Sequence, residues 1–506
     1  MKKIYGRICS VAVSAMMAIS LCGCKTAEEP AFSLGGQAVM SVSLGTKVDN
    51  ISEIRSKEPS NTNPLISNIF CADPTLVEYD GRLYIYGTCD HQQYEAVGAD
   101  GSNTYEHIKS LVMLSTDDMV NYTYHGRINV EEVCPWIIAS WAPSIVSRVE
   151  EDGLTHFYLY FSNSGWGTGV ITATSPTGPW SDPLGHSLID GNTAGLDGCK
   201  SPFDPGVCID DNGTGWLSFG GTDSARIVKL GSDMISLDSE ISKIPSLYHF
   251  EASELNYING TYVYTYNNDW DKHILNWDIE GVSAPPSCSM SYMTTKTPLD
   301  PDSWVYRDYY FKNPGEQGLE YSNNHTHLQK YGDKYYLFYH SLFPQSSLGT
   351  SGGFRSLCVN EATVDEDTVT IEKVSATKEG VAQIKNLDPY QPVNASTIAA
   401  CSNISYEQSN EGVTVKSGCG DGKASWICVR GVDLGKSAKY IAAKVKGKGV
   451  IDVYIGKMSG EPDTSVEFDC NEWSTVYNKF FSKVSEVNDI YFVMSDGAEF
   501  DSWQVS

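Results

Sequence analysis

The chain is short of basic residues. Its 506 positions hold 36 Lys+Arg against 63 Asp+Glu, a formal net charge of -27. Binding a phosphate backbone needs a stripe of Lys and Arg that releases counterions; none occurs, which excludes nucleic acid as the partner. Beyond the N-terminus no run reaches the roughly 18 apolar residues of a membrane-spanning helix. Long amphipathic helical patterns are missing from residues 63 to 388, which disfavours a TIM barrel or a doubly wound sheet. No Cys-x-x-Cys pair is present either. Three of the 14 cysteines fall in the first 24 residues, and the other 11 are an odd set, so neither a zinc site nor a complete disulfide framework is indicated. Mostly free, buried thiols are expected, with Cys401, Cys419, Cys428 and Cys470 able to pair within the tail.

What is present describes a globular protein. At 41% hydrophobic and 20% charged the chain can bury a large core, and its length suits two to three domains. The acid excess is uneven: residues 389–506 are net -4 and residues 1–24 net +3, which leaves -26 on residues 25–388. Lys2, Lys3 and Arg7 precede an apolar stretch, Ile8 to Leu21, too short to span a bilayer, the pattern of a secretory signal. It ends in Leu21-Cys22-Gly23-Cys24, which resembles a bacterial lipobox and implies lipidation at Cys24. Residues 1–24 therefore read as a lipoprotein signal, and residues 25–62, rich in Ser, Glu, Lys and Thr, as a flexible tether. An exported bacterial lipoprotein, anchored to a membrane and facing the outside of the cell, is the expectation.

A turn followed by an aromatic, β-branched strand then recurs five times. It appears at Asp80-Gly81, Asp152-Gly153, Asn212-Gly213, Asn259-Gly260 and Gly332-Asp333, with 72, 60, 47 and 72 residues between successive glycines. Asn-Gly and Asp-Gly between apolar runs mark hairpins, because both residues tolerate positive φ. Repeats of about 60 residues fit four-stranded units, so residues 63–388 are predicted to be an all-β, five-bladed propeller. Two unrelated β-sandwiches are the alternative. From residue 389 short strands follow one another in the manner of a β-sandwich of jelly-roll type, predicted over 389–506.

In a propeller the innermost strand of every blade starts or ends near the axis. Asp73 lies eight residues before its hairpin glycine, Asp204 and Glu251 nine, His325 seven and Trp141 twelve. Acids gathered in a concave site imply a metal or carboxyls with separated pKa values. The second option is the chemistry of glycoside cleavage, in which one carboxyl protonates the leaving oxygen while another activates water. Asp73-Pro74 and Asp204-Pro205 are expected to hold their acids extended, since a residue before Pro avoids the helical region. Glu254 competes with Glu251; three residues along an extended strand, it is expected to face away from the axis.

Several of these pieces resemble glycoside hydrolase family 43. They are Asn63-Pro64-Leu65 with Ala72-Asp73-Pro74, Tyr86-Gly87-Thr88-Cys89-Asp90, Trp141-Ala142-Pro143, Gly178-Pro179-Trp180, Phe203-Asp204-Pro205, Phe250-Glu251-Ala252 and Asn323-Asn324-His325. Ser144 stands where that family commonly has Asp. The resemblance implies Asp73 as general base, Glu251 as general acid, Asp204 as the group that raises and orients Glu251, and inversion at the anomeric carbon. It also implies that His325 lies near a calcium ion on the axis; a histidine simply hydrogen-bonded there is the alternative. Trp141 and Phe203 are expected pocket walls, while Trp166 and Trp270 are either further sugar subsites or blade caps.

The tail resembles a carbohydrate-binding module of family 6 through Gly431-Val432-Asp433-Leu434-Gly435 and Glu499-Phe500-Asp501-Ser502-Trp503, with Trp473 as the stacking aromatic. Glu499 replaces a common ligand-binding Asn, so sugar binding and a purely structural role both stay open. The expectation is a monomeric hydrolase that removes α-L-arabinofuranosyl groups from arabinoxylan or a related hemicellulose. A β-xylosidase and a non-catalytic glycan-binding lipoprotein are the alternatives.

Overall fold

The structure, a computed structural model, describes residues 30–41, 47–418 and 422–506. The expected signal, the lipidation site Cys24 and Cys419 lie outside the described residues. Phe32–Ser506 form one compact unit. All ten cysteines among the described residues are free, eight of them buried.

Five antiparallel sheets follow one another along the chain, each strand pairing with the next. Blade 1 runs Ala72–Tyr79, Arg82–Thr88, Ser110–Thr116 and Tyr122–Asn129. Blade 2 opens on Trp141–Val149, blade 3 on Gly206–Ile209 and blade 4 on His249–Ile258, each continuing through four strands. Blade 5 has three, Thr326–Tyr331, Lys334–Ser341 and Ser356–Ala362. The ring closes where residues before blade 1 lie along the last strand of blade 5. Leu65 N–H donates to Leu357 O, Cys71 N–H donates to Arg355 O, and the Asn63 amide pairs with both backbone groups of Val359.

The hairpin signals fall where the chain reverses. Both central residues have positive φ at Asp80-Gly81 (51° and 70°) and Asn259-Gly260 (46° and 75°), as a type I′ turn requires. Between each pair of neighbouring blades lies a separate apolar cluster. Tyr86 and Phe157 share the cluster between blades 1 and 2, Tyr160 and Phe219 that between 2 and 3, and Trp216 and Tyr264 that between 3 and 4. Tyr292 and Tyr339 join blades 4 and 5, and Ile85 and Phe338 join 1 and 5. The alternating aromatics of the strands are thus the glue between blades, each buried side chain contributing roughly 1.5–3 kcal/mol.

The C-terminal sandwich is built on two long strands, Ala438–Ile455 and Thr464–Val484. The first pairs with Thr464–Val484, Val487–Met494 and Ala498–Val505 at different points along its length, which nearly closes the sheet over Phe492, Phe500 and Trp503. The sandwich is not a separate bead: Thr397–Ile398 pairs with Tyr122 and Thr123 and adds a fifth strand to blade 1. The expected flexible tether also differs from what the structure shows. Val39–Met40 pair in parallel with Val476 and Tyr477, Ile51 bridges Ala424, and Trp426 Nε1 donates to Ser52 O. Leu34 and Val48 are buried; such scattered apolar residues anchor a segment whose composition otherwise resembles a linker.

Candidate active site

At one end of the axis the innermost strands of four blades are kinked in the same way. Asp73, Ala142, Asp204 and Ala252 all have positive φ, between 37° and 61°. Three of these strands show a register shift there, between Ala72 and Thr75, Trp141 and Ser144, and Glu251 and Glu254. A bulge of this kind re-aims side chains and is found next to active sites. The strain is held because each kinked N–H donates to the preceding blade. Asp73 N–H donates to His340 Nδ1 (3.2 Å), Ala142 N–H to the Thr88 hydroxyl (2.7 Å), Asp204 N–H to the Ser162 hydroxyl (2.8 Å) and Ala252 N–H to Asp204 Oδ2 (2.8 Å).

These kinks correct two expectations. The Asp-Pro steps are not extended, since both Asp residues sit in the left-handed region. Glu254 does not face away from the axis: Glu251 pairs with Asn267 and Glu254 with Thr265, two residues apart on the same strand, so the bulge puts both acids on one face. Glu254 is buried beneath the pocket with its Oε1 3.3 Å from His327 Nδ1. The kinks also sharpen the blade equivalence. Aligned on them, Glu251 matches Trp141 and Phe203, while Asp73 matches Asp204.

The kinked ends line a pocket of about 150 Å³ that holds Asp73, Asp204, Glu251, Trp141, Phe203 and His325. Tyr105, Ala142, Asn323 and Arg355 complete it. That is below the ~300–1,000 Å³ of pockets that enclose drug-sized ligands and suits one sugar ring. A larger cleft of about 390 Å³ between blade 1 and the sandwich is lined by Arg82, Asp117 and Lys385 and has no comparable set of carboxyls. Trp166 and Trp270 are 69% and 39% exposed. They follow Ser162 and Asn268, which pair with Trp141 and His249, so both stand at the pocket end of their blades but outside the pocket lining. Trp473 lies on the sandwich in a shallow groove with Glu499 and Asp501, the ammonium groups of Lys444 and Lys446 6.0 and 5.9 Å from its ring centre.

The three acids have different environments. Burial would raise Asp73, but it is outweighed by the Arg355 guanidinium, whose Nη1 is 2.9 Å from Oδ1, together with His340, His325 and the Thr88 hydroxyl, which donates to Oδ2 at 2.7 Å. Asp73 therefore lies below the usual carboxylate range. Burial and the nearby Asp73 charge push Glu251 up to about 7 against the Asn323 amide, which favours the ionised form. Burial and the Glu251 charge raise Asp204 as well. Asp73 is thus charged beside Glu251, which keeps its proton up to about 7, the division of labour that general acid–base chemistry needs.

Residues outside the set of blade-equivalent positions hold this arrangement. Arg355 forks onto Asp90 through Nε (2.9 Å) and Nη2 (2.8 Å), so its remaining nitrogen is aimed at Asp73. His340 Nε2 donates to Asn323 O (2.9 Å), which leaves Nδ1 to accept from Asp73 N–H. Burial, assisted by Arg355, pushes His340 down to about 3, so it stays neutral. Thr88 and Asp90 sit in the recurrent strand ending of blade 1, whereas Asn323, His340 and Arg355 come from blade 5 and its loops at no shared offset.

Among the described residues no group of three or more His, Cys, Asp or Glu is arranged to hold a metal. Below the pocket, however, both Glu254 oxygens and His327 Nδ1 are buried without a hydrogen-bond partner. One carboxylate and an imidazole fit a cation only if water supplies most of its ligands.

A small pocket at a propeller axis, with an ionised and a protonated carboxyl turned into it, defines an enzyme that hydrolyses glycosidic bonds. Residues 61–369 match the family model for glycosyl hydrolases family 43, and the chain belongs to that family. It is 34% identical to the arabinoxylan arabinofuranohydrolase of Bacillus subtilis (strain 168), over 89% of this chain and 93% of the relative. The Paenibacillus polymyxa arabinoxylan arabinofuranohydrolase is 31% identical over 92% of this chain and 78% of its own. A solved structure of a family 43 arabinoxylan arabinofuranohydrolase from Bacillus subtilis, in complex with cellotetraose, superposes with a TM-score of 0.81 at 32% identity, covering 90% of this chain and 99% of that one.

Proposed function

We propose that the protein is an inverting α-L-arabinofuranosidase that removes arabinofuranosyl side groups from arabinoxylan. The observation that carries this reading is the single-ring pocket with its two unlike carboxyls, in a chain similar over nine-tenths of its length to arabinoxylan arabinofuranohydrolases. Asp73, ionised beside Arg355, takes a proton from a water on one face of the bound sugar. Glu251 gives its proton to the glycosidic oxygen on the other face. Water oxygen bonds to the anomeric carbon as the bond to the leaving hydroxyl breaks, and the base and acid end with exchanged protonation states. Asp204, tied to Ala252 N–H, sets the position and acidity of Glu251. Trp141 and Phe203 offer apolar faces to the ring. The exposed Trp166 and Trp270 and the sandwich Trp473 supply stacking surfaces for the polysaccharide beyond the cleaved sugar. A largely hydrated calcium below the pocket, beside His325 and held by Glu254, would neutralise acidic charge and stiffen the axis; the Glu254 oxygens, buried and accepting no hydrogen bond, support it. Export and lipid anchoring at Cys24 complete the proposal, on the strength of the N-terminal sequence.

The test is hydrolysis of arabinoxylan and of aryl arabinofuranoside and aryl xyloside by wild type, Glu251→Gln and Asp73→Asn. Both variants are expected to lose roughly 10²–10⁴-fold on arabinoxylan, the range supplied by a positioned acid or base. A β-xylosidase would prefer the xyloside, and binding without turnover would make the protein a capture module.

A further inference from the structure

We infer that Asn323 is a positioning residue that fixes which oxygen of Glu251 carries the catalytic proton, and that it does so because Arg355 locks the orientation of its amide. The inference rests on the proposed role of Glu251 as acid. Arg355 Nη1 lies 3.4 Å from Asn323 Oδ1, and Asn323 Nδ2 lies 3.1 Å from Glu251 Oε1. A guanidinium has donors only, so the amide must turn its oxygen toward Arg355 and its NH₂ toward Glu251. Asp90 fixes Arg355 through Nε and Nη2, and His340 fixes the Asn323 backbone through its carbonyl. The amide therefore cannot flip without leaving Arg355 facing a second donor.

An NH₂ donating to Oε1 makes that oxygen the acceptor, so the proton of the neutral carboxyl resides on Oε2. Oε2 has no hydrogen-bond partner among the described residues, and Glu251 lines the pocket. Oε2 is thus the oxygen available to the leaving group. The same bond favours the ionised form, so Asn323 also keeps Glu251 from becoming too weak an acid as burial pushes its pKa up. The links Asp73–Arg355–Asn323–Glu251 separate base from acid by two bridging groups, which leaves space between the carboxyls instead of a direct contact.

Leaving-group dependence tests this. Asn323→Ala is expected to slow hydrolysis of arabinoxylan, whose sugar leaving group needs a proton, roughly 10- to 100-fold, part of the ~10²–10⁴ a general acid supplies. A dinitrophenyl arabinofuranoside, which departs without a proton, should slow less than about threefold by the same principle. The alkaline limb of kcat/KM is expected to move to higher pH while the acidic limb stays. Equal losses on both substrates with an unmoved alkaline limb would overturn the inference and make Asn323 a packing or sugar-binding residue. Asn323→Leu, similar in volume, gives the same reading if Asn323→Ala does not fold, and Asn323→Gln should recover part of the loss if the amide is what matters. Glu251→Gln run in parallel separates the two levels. If it shows the leaving-group dependence and Asn323→Ala does not, only the inference fails; if Glu251→Gln shows none, the assignment of the acid fails with it.

Discussion

The pocket chemistry is set by how three acids, otherwise alike, are surrounded. The proposed mechanism needs Asp73 ionised and Glu251 protonated. Activity should therefore rise as pH climbs through the depressed value of Asp73 and fall as pH passes about 7, where Glu251 ionises. A profile of kcat/KM from pH 3 to 9 checks this, and an acidic limb above the ordinary carboxylate range would contradict the role of Arg355. The same residues affect stability with opposite sign. The contribution of Asp73 is present above its unfolded pKa and lost as pH falls through its lower folded value. That of Glu251 is present below its unfolded pKa and lost as pH rises through about 7. At pH 8 Glu251→Gln is accordingly expected to melt at higher temperature than the wild type, measurable by calorimetry, because it removes a charge that its surroundings oppose. The acids were visible in the sequence because they share an offset from the hairpins. Arg355 was not: a single Arg in Gly352-Gly353-Phe354-Arg355 carries no spacing that points to Asp73, 282 residues away.

At the scale of the strand, the kinks make the site. The sequence shows hairpins because Asp-Gly and Asn-Gly have a backbone requirement of their own, but a bulge depends on φ values that Ala142 and Ala252 do not advertise. Strand alternation thus assigned Glu254 to the wrong face, and a shared offset concealed that Glu251 aligns with Trp141 instead of with Asp73. Thr88 joins these strands, donating to Asp73 Oδ2 and accepting from Ala142 N–H. Thr88→Val keeps the shape and removes both bonds, leaving a buried N–H unpaired at a cost of about 1–3 kcal/mol. A lowered unfolding midpoint in urea is expected, together with an acidic limb moved to higher pH because Asp73 loses a donor. A variant with an unchanged acidic limb would show that the Thr88 hydroxyl is not needed to hold Asp73 ionised.

Across the whole molecule, propeller and sandwich share hydrogen bonds that composition could not reveal. The change in charge near residue 388 falls between blade 5 and the sandwich strands, but the strand Thr397–Ile398 crosses back to blade 1, and Gln408 bonds both backbone groups of Arg127. Asn121 likewise pairs with the backbone of Arg430. A chain ending at Asp388 is therefore expected to melt several degrees below the full protein, with the largest loss of amide protection in Tyr122–Asn129. Equal melting temperatures would make the sandwich energetically independent.

The pairing of Val39–Met40 with the sandwich bears on how the molecule is made. Ser41 bonds Glu467, 426 residues further along. At ~5–20 residues per second, this early segment waits roughly 20 to 85 s for its partner to be synthesised. This segment is therefore completed only after the sandwich has been made, and all five blades can assemble before it docks.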